Sequence, residues 1–67
     1  MSVMELARFV GASACQLLSV NRCNEAEFNQ MVAEGKEIIL PVATAVMVRK
    51  MPKRYKKTQA NRIVFTD

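Results

Sequence analysis

The sequence predicts an α+β fold, three short helices followed by a β-hairpin. Three observations lead there. A short polar residue followed three positions later by Glu or Gln recurs three times in the first half of the chain. After Gly35 the apolar residues change from helical spacing to β-branched alternation. Seven of the ten basic residues then fall between Arg49 and Arg62, between two β-prone runs.

The helices are read from their starts. Ser2 precedes Glu5, Ser13 precedes Gln16, and Asn24 precedes Glu27. Each pair has the form of a capping box, in which the short side chain accepts from an exposed amide and the longer one reaches back. Apolar spacing agrees. Val3, Leu6, Ala7 and Val10 share one face, as do Ala14, Leu17 and Leu18, and then Phe28, Met31 and Val32. Gly11 and Gly35 stand where the first and third helices stop, since glycine accepts left-handed geometry. The helices are thus expected over about 2–11, 13–21 and 24–35, with Asn21 to Cys23 as the second turn.

Strands are expected over about 37–48 and 61–66, within a single domain covering 1–67. Val42, Thr44, Val46 and Val48 alternate with Ala43, Ala45 and Met47, and Pro41 suits an edge or a bulge. Ile63, Val64 and Phe65 mark the second strand, which leaves the basic stretch as the loop between them. A rival reading starts a helix at Pro41 and runs it to Met51, with proline at the first helical position. Valine density argues for the strand.

Size and composition exclude several classes of function. A chain of 67 residues folds as one small domain with a stability of about 3–10 kcal/mol at most. It has no histidine, and Cys15 and Cys23 are the only cysteines, so a tetrahedral zinc site lacks ligands and no cofactor is expected. The two thiols fit a reducing cytoplasm, and the start of the chain carries no basic leader. The apolar run from Ile38 to Val48 is too short to span a bilayer. A soluble cytoplasmic protein is therefore expected. Two glycines 24 residues apart make no phosphate loop, and Glu25 and Glu27 point in different directions on a helix. An enzyme is not expected.

Charge points to a partner. Residues 1–48 carry three bases against five acids, a net of −2, while residues 49–67 carry seven bases against Asp67, a net of +6. Such a separated field attracts phosphates. Arg49, Lys50, Lys53, Arg54, Lys56, Lys57 and Arg62 are candidate backbone contacts, with Tyr55 placed to stack or hydrogen-bond. Val3 to Arg22 has a small Ala7, a Gly11 turn and apolar Leu17 and Val20, the positions that a tight helical pair requires. With the basic loop, this gives a helix-turn-helix with a basic wing. In that register the second helix meets base edges through Ser13, Gln16, Ser19 and Arg22.

The Val3–Arg22 pattern resembles the bihelical unit of phage and bacterial repressors. A second resemblance lies further on. Phe28–Asn29, Gly35–Lys36 and the strand-like Ile38–Ile39 are similar to the passage from recognition helix to strand in Cro-type phage repressors and excisionase-like winged helices. This run covers about a fifth of the chain. The resemblance implies three helices followed by strands, a basic C-terminal part, and dimers formed through the strands. It also implies a different register, in which the third helix reads DNA through Asn24, Asn29, Gln30 and Lys36. Glu25, Glu27 and Glu34 depart from the family there. The expectation is a small, non-enzymatic, dimeric regulator that occupies an operator or a recombination site on double-stranded DNA. The alternative is a module that binds an acidic protein surface. An RNA-binding factor fits the Tyr55 segment but lacks the aromatic strand platform of common RNA modules.

Overall fold

The computed structural model describes residues 1–41, 51 and 53–66. Among them the elements run α1 (Val3–Val10), α2 (Ala14–Asn21), α3 (Glu25–Ala33), β1 (Ile38–Ile39), β2 (Tyr55–Gln59) and β3 (Arg62–Phe65). The fold is α+β, with three helices beside a three-stranded antiparallel sheet in the order β1-β3-β2.

Each helix begins where its capping residue stands. Ser2 accepts from the Glu5 amide at 3.2 Å, and the boxes Ser13–Gln16 and Asn24–Glu27 are made in both directions. All three helices also end alike. An amide just past the helix returns to a carbonyl in the last turn: Ala12 to Ala7 at 3.0 Å and Cys23 to Leu18 at 3.2 Å, two residues past α1 and α2, and Lys36 to Met31 at 2.9 Å, three past α3. That closure needs one left-handed residue. Gly11 supplies it after α1 (φ 69°) and Gly35 after α3 (φ 73°). Arg22 supplies it after α2 (φ 52°), in a conformation that disfavours a side chain. Both interhelical turns, 11–13 and 22–24, therefore have the same length, although only the first contains glycine. The first turn bends the chain by 104° between α1 and α2.

The core lies between the helices and one face of the sheet. Val3, Leu6, Ala7 and Val10 from α1 meet Leu17, Phe28, Val32, Ile38, Leu40, Met51, Ile63 and Phe65. Ala14, Leu18 and Met31 are half-buried at its border.

The hairpin differs from the sequence-based expectation. The basic segment was expected to be a loop, but Tyr55–Gln59 is a strand, joined to β3 by the two-residue turn Ala60–Asn61. Among the described residues, the two runs expected to pair do so over Ile38–Ile39 and Arg62–Ile63. The reason is local. Tyr55 sits opposite Phe65 and packs against the core, which gives the segment one apolar anchor. Among the described residues β2 lies at the edge of the sheet, where lysines are tolerated. The choice between strand and helix across 42–50 falls outside the described residues.

Asn21 fixes the other edge of the sheet. In the β1–β3 register Ile39 turns its amide and carbonyl away from β3. The Asn21 side chain meets both: its Oδ1 accepts from the Ile39 amide at 2.8 Å, and its Nδ2 donates to the Ile39 carbonyl at 2.9 Å. Nδ2 also donates to the Leu17 carbonyl at 2.8 Å, so one amide ties the end of α2 to β1. Asn21→Ala leaves these partly buried backbone groups unpaired, and should cost roughly 1–3 kcal/mol of unfolding free energy by denaturant titration. Asn21→Asp keeps the shape but replaces the donor with an acceptor, and should destabilise at least as much. Wild-type stability in both variants would refute this role.

Candidate nucleic-acid interface

Cationic side chains gather along β2. Arg54, Lys56 and Lys57 are exposed, Lys53 is half-buried just before the strand, and Tyr55 is half-buried. The register explains the arrangement. Tyr55 and Lys57 stand opposite the core residues Phe65 and Ile63, whereas Lys56 stands opposite Val64. Alternation puts Arg54 with Lys56 on the outer face and Lys57 with Tyr55 on the core-facing side. The charge thus flanks a single edge strand on both sides. Among the described residues, no carboxylate forms an ion pair with Arg54, Lys56 or Lys57.

Arg62 behaves differently, although the sequence grouped it with these bases. Its guanidinium donates to Glu37 Oε1 at 3.1 Å, and Thr58 Oγ1 donates to Glu37 Oε2 at 2.6 Å. Glu37 thereby links the residue before β1 to both strands of the hairpin. It sits where β2 is irregular, at the register shift between Lys57 and Gln59. The Thr58 hydrogen bond, then the Arg62 hydrogen bond, hold its carboxyl below the ordinary value of 4.5 against a small opposing effect of burial. Arg49 and Lys50 lie outside the described residues.

The helical candidates form a separate group. Ser13, Gln16, Ser19 and Arg22 are all exposed on or beside α2. Gln16 and Ser19 share a shallow groove with Cys15, Val20 and Pro41. Ser13 and Gln16 already bond each other's amides, at 3.1 and 2.8 Å, so reading a base with either means giving up the cap. Arg22 occupies the left-handed position that ends α2. Because α2 packs beside β1, and β3 separates β1 from β2, these residues lie across the sheet from the basic strand.

The polar groups of α3 are tied to its acids. Asn24 is engaged with Glu27, Gln30 donates to Glu34 at 3.2 Å, and Lys36 pairs with Glu34 at 3.4 Å. Asn29 is exposed. Glu25, Glu27 and Glu34 make this helix surface acidic, in contrast to β2.

Burial, with a smaller push from the Glu27 carboxylate, raises the Cys23 thiol above its ordinary 9.0 and keeps it protonated at neutral pH. No group of three His, Cys, Asp or Glu among the described residues is arranged to hold a metal ion. No single helix among them is long and apolar enough to cross a membrane.

Two contributors were missed in the sequence. Glu37 fell at the start of the first expected strand, and its role depends on a hairpin register that local spacing does not encode. Gln59 lies at the exposed end of β2 and was taken as part of a loop.

No family model, curated protein or solved structure matches the chain.

The Glu37 linkage carries a pH dependence of definite sign. A carboxyl whose pKa is lowered by folding stabilises the fold above its unfolded value. That contribution is lost as pH falls from about 4.5 through the lower folded-state value. Melting temperatures followed down through this range should fall less steeply for Glu37→Gln than for the wild type. Parallel curves would show that the carboxylate contributes nothing.

Proposed function

We propose that this protein is a small, non-enzymatic DNA-binding regulator of phage or mobile-element type, acting in the cytoplasm by occupying an operator or a recombination site. The observation that carries the reading is the exposed cationic edge strand. Arg54, Lys56 and Lys57 present their charges on β2 without a carboxylate partner among the described residues, and Lys53 stands beside them. Phosphate esters are the natural complement of such a row. Arg49 and Lys50 add two further charges in sequence. The acidic surface of α3 opposes phosphates, which favours an approach along β2.

A homodimer belongs to this proposal, but its interface is not β2 against β2. Pairing two copies along that edge sets bases opposite bases, and like charges facing each other across strands are destabilising. The dimer contact is therefore assigned elsewhere on the surface.

A second reading, a module that grips an acidic protein surface, is favoured by one observation. Ser13 and Gln16 are committed to the α2 cap, which leaves that helix poor in free base-reading groups.

Gel-shift titration at rising salt tests the first reading. The wild type should bind random duplex with a steep salt slope. Replacing Lys53, Arg54, Lys56 and Lys57 together by Ala should make that slope shallower by up to about 3.6 in log K per log salt, at about 0.9 for each phosphate contact. Absence of binding near 50 mM salt, a low ionic strength for this class of interaction, would remove the proposal. A polyglutamate peptide that displaces the duplex at matched charge concentration would favour the second reading.

A further inference from the structure

We infer that strand β2, and not helix α2, reads the base edges, by entering the major groove of B-form DNA edge-on. This rests on the duplex-binding reading above and deepens it by naming the reading element and the groove.

The distribution of charge comes first. Arg54 and Lys56 project on one side of β2 and Lys57 on the other, so the cations flank the strand instead of covering one sheet face. A face laid on a duplex uses one row of charges. A rim pushed into a groove meets a phosphate wall on each side. The B-form major groove, about 12 Å wide, admits a two-stranded β-ribbon such as the β2–β3 hairpin.

The backbone agrees with this. The Thr66 amide bonds the Arg54 carbonyl at 3.1 Å, which sets the alternation along the β2–β3 ladder. Arg54 and Lys56 turn their backbone groups toward β3, and Tyr55 and Lys57 turn theirs away from it. Among the described residues, β2 pairs only with β3.

The side chains complete the set. Gln59 is exposed at the end of β2, and its amide makes no hydrogen bond among the described residues. A free glutamine matches the donor–acceptor edge of adenine, and Lys57 next to the bulge matches guanine. The glutamine of α2 has no such freedom, since Gln16 accepts from the Ser13 amide at 2.8 Å.

Sites selected from random duplex provide the test, through the ratio of affinity for a selected site to that for a scrambled duplex at fixed salt. Gln59→Ala should lower this ratio by about 5- to 150-fold, the span of one good bidentate base contact. The salt slope should persist, because an amide releases no counterion, and a melting curve verifies that the exposed substitution leaves the fold intact. Double-stranded RNA of the selected sequence should fail to compete as well as the DNA, because the A-form major groove is too narrow to enter. An unchanged ratio in Gln59→Ala, or equal competition by the RNA, overturns the inference. So does a loss in Ser19→Ala or Arg22→Ala with Gln59→Ala unaffected, which hands reading to α2. Failure of the wild type to bind any duplex overturns the functional reading itself, an outcome distinct from binding without the Gln59 effect.

Discussion

The side-chain amide of Asn21 is the contact on which the arrangement of helices and sheet depends. Strand β1 is only two residues long, and such a strand holds its place poorly on the ladder with β3 alone. Asn21 supplies the missing neighbour by satisfying both outward backbone groups of Ile39, as a fourth strand would. It does this from the last turn of α2, to which it is also bonded through Leu17. One edge of the sheet is thereby closed by a side chain. The other edge, β2, carries cations. An open strand edge invites pairing with another chain, and a row of lysines is a common protection against it. The two edges thus solve one physical problem differently, and the cationic solution leaves a surface suited to phosphates.

Charge segregation follows from the same architecture. Glu37 engages Arg62 and Thr58, which ties the hairpin register together and pairs one base with a carboxylate. Glu34, at the end of α3, is met by Gln30 and Lys36, whereas Glu25 and Glu27 leave the helix surface acidic. Among the described residues, Arg54, Lys56 and Lys57 form no ion pair and stand together at β2, whereas Arg8 and Arg22 are isolated on or beside the helices. Of the +6 half of the −2/+6 split along the chain, the described part gathers at β2 and the residues just before it.

The helical half was legible because its signals are local. The capping pairs lie three residues apart, and the buried face of α1 was readable from its spacing down to Val3, Leu6, Ala7 and Val10. The end of α2 was harder, because Arg22 adopts a conformation usually signalled by glycine. The basic stretch was misread as a loop for a related reason. Lys56, Lys57, Thr58 and Gln59 show no apolar alternation, and what makes them a strand is pairing to β3 together with the Tyr55 anchor. Asn21 looked like a turn residue, because the backbone it serves lies 18 positions away. Non-local pairings of this kind leave little trace in the spacing of neighbouring residues. At the candidate interface, sequence identified the bases but neither their geometry nor the pairing of Arg62 with Glu37.

The central claim is that the edge strand β2 is the surface that meets nucleic acid. Titrating a short duplex into isotopically labelled protein and following its backbone amide resonances tests this most directly. The account predicts that the largest shifts fall between Lys53 and Gln59, with α3 unaffected. Shifts confined to α2 or α3, or none at low salt, would contradict it.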